Sequence, residues 1–352
     1  MNASKTQHYF GVTQPYPVSF LDKFMLFIQR LPLPYWMTYL LLFMLQVVIF
    51  HILSWIDGWI PRYTFNMLIL IFPLWQWLPF IMITYLNSVA LKTLSIFNPL
   101  LKFDEENLKK LKYEFTFMPS NHVILNAVFW AIVYSTVDFF TLRPLYTDVG
   151  LRSTFSTIVS IEGLICYCTG SVIYYHSLRQ LLLVNKTVKL VEHFNLFHLE
   201  PVYAFSRLTA QTGISWVILL GLTILLVPLK LANGVMLGIF FVQVLMAAAA
   251  FVLPLWVVRQ RLLLEKRKLI TENHHRVEAV LALLHQEIDE KKLSEVEQLN
   301  SVISGLSAER DILEKIPTFP WRTETLTGFL SATILPIILL IIQLIIEKWL
   351  ST

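Results

Sequence analysis

A chain of 352 residues that is 56% hydrophobic and only 15% charged cannot wrap a soluble core, since soluble domains carry about 25% charged residues. A formal net charge of +4 is too mild to point to nucleic acid and instead suits inner loops lying near anionic lipid.

Residues 1–34 lack a basic start followed by a short apolar core, so no cleavable signal is expected. Within them Phe20, Phe24, Phe27, Ile28 and Leu31 recur at helical spacing, while Asp22, Lys23, Gln29 and Arg30 fill the rest. The spacing predicts an interfacial helix that ends at Pro32 and Pro34, with a loosely ordered tail as the alternative.

Seven apolar runs follow, near 35–56, 63–86, 122–140, 154–175, 213–229, 235–258 and 326–346. Each is close to the ~20 residues that cross a bilayer as a helix. The second contains Pro73 and Pro79, and the connection between the fifth and sixth is a few residues around Asn233 and Gly234. Lysine and arginine set the expected direction. Segments 1–34, 87–121, 176–212 and 259–325 hold 23 of the 28, leaving Arg62, Arg143, Arg152, Lys230 and Lys348 for the other side. This asymmetry predicts an inside N-terminus and, after seven crossings, an outside C-terminus. That direction is opposite to a G-protein-coupled receptor. The fold class expected is therefore all-α and polytopic: a cytoplasmic segment 1–34, six membrane helices over 35–258, a cytoplasmic helical hairpin over 259–316, and a proline corner with the seventh helix over 317–352.

The inner segments carry their own patterns. The run from Asp104 to Lys112 places acid first and base last, which suits a short connector helix. Residues 177–211 read as one amphipathic helix extending the fourth span. Past Arg259, Leu262, Leu269, Val277, Leu281, Leu284 and Ile288 recur near heptad spacing, until Asp289 to Lys292 breaks the pattern. Ser294 and Glu297 match a capping box for a second helix bearing Leu299, Val302, Leu306 and Leu313. Pro317, Pro320 and Trp321 then form a corner read as either a hinge or a plain helix break.

Charged groups inside spans are costly and mark candidate sites. Glu162 lies well into the fourth span, with Asp138 near the outer end of the third and His51 near that of the first. Together they are the candidate ligand or ion pocket, with Glu162 as the anchor for a cationic group. The alternative is a Glu162 protonated or paired with Arg143 or Arg152. Gln343 is the pore candidate, and Gln76 lies near the middle of the second span. Cys166 and Cys168 read as small packing residues. His122 with His176, His193 with His198 and Glu200, and His274, His275 and His285 carry metal- or haem-ligand chemistry; surface or packing roles are preferred, so no cofactor is expected. No phosphate-binding loop, nucleophile elbow or zinc-protease pattern is present, and enzymatic chemistry is not expected.

This arrangement resembles the insect odorant and gustatory receptor superfamily: an inside N-terminus, a short outside C-terminus, cytoplasmic extensions after spans four and six, and a broken final helix. That family often carries Thr-Tyr, five apolar residues and Gln-Phe in the last span. Here Gln343 takes the glutamine position, while Pro336, Ile337 and Leu344 replace the other three. The hairpin followed by Pro317-Thr-Phe-Pro-Trp321 is also similar to a group of uncharacterised microbial multi-pass proteins. The receptor resemblance implies a plasma-membrane homotetramer gated by a small molecule, with the last spans around a cation pore. The alternative function is a transporter, or a scaffold that binds a cytoplasmic partner through the hairpin.

Overall fold

The computed structural model describes residues 14–148, 150–191, 194–227, 234–289 and 293–350. Among them the chain is helical, with one isolated bridge between Val18 and Pro119 and no strand.

Local chemistry sets most helix ends. Ser19 caps α1 (Phe20–Gln29) by accepting from the Asp22 amide. Helix α2 (Tyr35–Asp57) begins after Pro34 and ends at Gly58, whose φ of 81° is the left-handed geometry that a side chain would resist. A 3₁₀ turn at Met67–Leu70 leads into α3 (Ile71–Leu101), which runs well past the expected boundary at 86. Asp104 caps α4 (Glu105–Thr116), the expected connector, where Glu105 also pairs with Lys109 at 2.6 Å. Helix α5 (Ser120–Val137) passes through a π turn at Asp138–Leu142 into α6 (Arg143–Asp148). Helices α7 (Ser153–Gly170) and α8 (Val172–Lys189) follow one another with a step at Ser171.

The expected helix over 177–211 is interrupted. Helix α8 stops at Lys189, and α9 (Glu200–Leu226) starts with Pro201 in its first turn. Proline suits that position because its missing amide hydrogen is not needed in a first turn, while Phe194 and Leu196 between the two helices are buried. Helix α10 (Gly234–Asp289) is 56 residues long, about 84 Å at the α-helical rise. Helix α11 (Leu293–Lys315) follows, and the side chain of Ser294, the expected cap, lies outside the described residues. Helix α12 (Thr323–Leu350) completes the chain. The expected connection around Asn233 and the break at 290–292 lie outside the described residues.

Among the described residues six helices are long and apolar enough to cross a membrane: Tyr35–Asp57, Met67–Leu101, Ser120–Leu142, Thr154–Lys189, Glu200–Leu226 and Phe241–Asp289. This is the build of an integral membrane protein. Helix α12 contributes a shorter apolar stretch, Thr323–Leu339.

Helix α9 is the centre of the packing and lies against α3, α10 and α12, while α3 also takes α2, α4 and α7. One core gathers Phe97, Phe205, Phe251, Leu255 and Phe329; a second gathers Met25, Tyr39, Phe80, Ile173 and Trp216. Leucines and isoleucines on α2, α5, α10 and α12 face outward instead, where lipid or a neighbouring helix can cover them. Helices α7 and α3 approach so closely that a Cβ on Gly170 would sit 2.1 Å from the Trp75 carbonyl oxygen.

Helices α10 and α11 run antiparallel. Asn273 on α10 donates to the Leu306 carbonyl at 3.0 Å and to Glu309 at 3.1 Å. Lys266 donates to the Glu314 and Ile316 carbonyls and so caps the end of α11. Leu262 and Leu284 are buried, whereas Leu281, Ile288 and Val302 remain exposed. Residues 316–322 form a non-helical corner. Trp321 lies 5.7 Å from Phe251, Arg259 covers the Phe319 ring at 4.6 Å, and Arg322 meets Glu200 at 3.4 Å. The corner is thus tied to both α9 and α10.

Candidate functional site

Glu162 on α7 accepts a hydrogen bond from the Gln46 side-chain amide on α2. The Gln46 carbonyl oxygen in turn accepts from the Trp77 indole on α3. Three helices therefore meet at one carboxyl group that stays half-buried. Of the two expected arginine partners, Arg143 pairs with Asp138 at 3.0 Å, and Arg152 has its guanidinium beside Gly58 while its backbone amide donates to Asp57 at 3.4 Å. Gln46 and Trp77 were not among the residues singled out in the sequence. A lone glutamine halfway along an apolar span was the available signal.

Asp138 is buried at the start of the π turn. One carboxyl oxygen accepts from the Ser160 hydroxyl at 2.8 Å and the Tyr134 hydroxyl at 3.5 Å; the other takes the Arg143 guanidinium. His51 is also buried. Its Nε2 accepts from the Asn66 amide at 3.2 Å, so its Nδ1 carries the proton donated to the Val47 carbonyl at 2.8 Å. Its ring stacks on Phe65 at 4.8 Å. Each of the three residues thus has its own partners. An open groove of about 580 Å³ along α5 and the π turn is lined by Ile132, Thr136, Phe139, Phe140 and their neighbours, and by none of the three. Gln76 accepts from Thr169 at 3.1 Å. The side chain of Gln343, on α12, lies outside the described residues.

The densest polar assembly lies elsewhere, around the turn from α4 to α5. The Gln180 amide donates to the Phe115 carbonyl at 2.9 Å and the Asn87 amide to the Thr116 carbonyl at 3.2 Å. The Tyr16 hydroxyl donates to the Phe117 carbonyl at 2.9 Å, as does Arg179 at 2.8 Å, while Arg179 also reaches the Tyr16 hydroxyl. Ser19 donates its amide to the Met118 carbonyl at 3.2 Å. The Met118 amide donates back to Asp22 at 2.8 Å. Four consecutive residues are thus held from α3, α8, α1 and the segment before α1.

Asp22, read from the sequence as a polar filler of α1, is 1% exposed. Burial pushes its carboxyl up to about 6, against hydrogen bonds from Ser19 and Met118 that pull it down. Burial likewise raises Tyr16 and pushes Tyr113 up to about 12. Ser19-x-x-Asp22, a capping pattern, was the sequence signal that could have placed Asp22 on the packed side.

His176, fully buried, bonds the Asn87 side-chain oxygen at 2.7 Å, whereas His122 stacks on Tyr175 at 6.2 Å. The Cys166 thiol donates to the Phe72 carbonyl at 3.5 Å. Among the described residues no three of histidine, cysteine, aspartate and glutamate come together as metal ligands. No family model, curated protein or solved structure matches the chain.

Proposed function

We propose that the chain is a subunit of a ligand-gated cation channel, a homotetramer in the plasma membrane with seven spans, its N-terminus inside and its C-terminus outside. The observation that carries this reading is the placement of α12. It packs against α9 and stacks Phe329 on Phe251 of α10 at 4.2 Å. Leu330, Ile334, Ile338, Ile341 and Ile345 stay exposed along its length. A last helix so thinly covered in one copy suits packing against its equivalents around a shared axis. In this reading Gln343 belongs to the pore helix, and the part of α10 beyond Arg259 stands with α11 in the cytoplasm. The corner at Pro317, Pro320 and Trp321 joins those arms to the pore. A small molecule enters among the outer halves of the other spans. Glu162, which has an uncharged amide partner, takes its cationic group or a passing ion.

A second reading, a scaffold, is favoured by one observation: Leu283, Ile288, Val302 and Ile312 on the α10–α11 arms remain uncovered and would dock a cytoplasmic partner.

The test is reconstitution of the full chain. Mass photometry in nanodiscs should report four copies, and planar-bilayer recording under a potassium gradient should show unitary currents. Glu162→Gln should change conductance or its ligand response. A monomer that passes no current would sink the channel. Wild-type currents from a well-folded Glu162→Gln would remove Glu162 from the site.

A further inference from the structure

We propose that Asp22 is a proton-binding site that sets the grip of an N-terminal clasp. The segment before α1, together with α1, holds the α4–α5 turn and α8 tightly when the carboxyl is neutral and loosely when it is charged.

The clasp has an apolar footing, with Leu21, Met25 and Ile28 packed in one core with Met118 and Leu181, and Val18 with Tyr113 and Phe117. Its polar part is short: besides the bonds at Phe117 and Met118, the Ser120 amide donates to the Pro17 carbonyl at 3.3 Å and the Tyr113 hydroxyl to the Tyr16 carbonyl at 2.7 Å. Asp22 stands at its centre with an uneven load. Its Oδ2 accepts from the Ser19 hydroxyl at 2.7 Å and from the Met118 amide, while its buried Oδ1 has no partner. A proton added at Oδ1 therefore breaks no bond of the clasp. It removes a negative charge from a site with almost no solvent access.

The surrounding charges do not reverse this preference. From α8, Arg179 and Tyr175 face Asp22, but both Arg179 contacts go to Phe117 and Tyr16. From α4 comes Tyr113, and from the preceding segment Tyr16, both kept neutral because burial raises them. Glu114, next to Tyr113, pairs with Lys186 at 3.9 Å. Lys23 is exposed on the far side of α1, and α2 carries no charged residue before its outer end.

The sign follows from burial. Docked, the carboxyl is held up at about 6; released into water it returns to its ordinary value of 3.8. The docked form thus holds the proton more tightly, and docking is strongest below about pH 4. It weakens about tenfold per pH unit as pH rises toward about 6, then levels off. Under the proposed orientation the clasp faces the cytoplasm, and cytoplasmic acidification tightens it. The clasp itself depends on neither the orientation nor channel activity, so its test stands apart from theirs.

Hydrogen–deuterium exchange of the full chain in nanodiscs from pH 4.5 to 7.5, normalised to intrinsic rates, reads the grip directly. Peptides over 19–28 and 113–120 should lose more than tenfold in protection across that range, while α9 peptides hold steady. Asp22→Asn should flatten the profile. Ser19→Ala removes a donor to the anion and should move the midpoint to higher pH. A flat wild-type profile, or a parallel loss in α9, overturns the proposal. So does an Asp22→Asn profile with the wild-type slope. If Asp22→Asn does not fold, an unmoved or lowered midpoint in Ser19→Ala overturns it equally.

Discussion

Three acids in this chain are taken out of water in three ways. Asp22 relies on a backbone amide and a hydroxyl, Glu162 on a side-chain amide, and Asp138 on two hydroxyls and a guanidinium. Asp138 differs because its partner is asymmetric: its own side chain is 6% exposed and that of Arg143 is 63% exposed. Losing Arg143 therefore costs more than a surface ion pair, because it strands a buried carboxylate. Arg143→Ala should destabilise the protein by about 1–3 kcal/mol, and adding Asp138→Asn should restore part of the loss. Thermal unfolding in detergent checks this; equal losses in the single and double variants would rule out the stranded charge. Hydropathy placed Glu162 and Asp138 inside or beside spans, since an acid in an apolar run is visible. It could not give the partner of Glu162, because Gln46, itself held by Trp77, reaches the carboxyl from another helix and a distant part of the chain. Asp22 was misread for a related reason. Its helix buries Leu21, Met25 and Ile28, and helical spacing alone does not reveal that an acid among them is also turned inward.

Helix ends and helix seams obey different information. Proline, glycine and capping aspartate are local, so the start of α2, its end at Gly58, the cap of α4 and the corner before α12 could be read in order along the chain. Seams depend on shape across the interface. The contact between α7 and α3 needs Gly170, because a side chain there meets the Trp75 carbonyl, and a backbone atom has little room to retreat. Gly170→Leu should cost about 3 kcal/mol or more through overpacking. Gly238→Leu, where nothing lies within 4 Å, should be near neutral. Thermal melts of the two variants in the same detergent make the comparison, and matched melting temperatures would refute it. The interruption between α8 and α9 was missed because Leu190, Val191 and Phe194 continue an amphipathic rhythm, although Val191 and Phe194 are buried in the connection and Leu190 is exposed.

At the scale of the molecule, burial is concentrated in one helix. The apolar window of α9 is 72% buried, against 17–44% for the other five candidate spans. Amides of α9 should accordingly exchange most slowly of all, which hydrogen–deuterium exchange under native conditions will show; faster exchange in α9 than in α3 would contradict it. Nothing in hydropathy singles α9 out, since its mean hydropathy of 1.7 lies between the 1.4 and 2.3 of the candidate spans on either side. Its Ser206, Thr209, Thr212 and Ser215 are all buried, and small hydroxyl residues on one helix were the faint sign of close packing.

The position of α9 in chain order has a cost during synthesis. Four of the candidate spans emerge before it, already carrying groups that α9 will satisfy. The Trp75 indole awaits the Thr223 hydroxyl, the Thr93 hydroxyl awaits the Ala204 carbonyl, and the Ser177 hydroxyl awaits the Trp216 indole. Until the ribosome has passed residue 226, the first half of the protein is an unfilled socket facing lipid. That interval, and not the finished fold, is when a nascent chain of this kind is most exposed to mispairing and to the machinery that removes it.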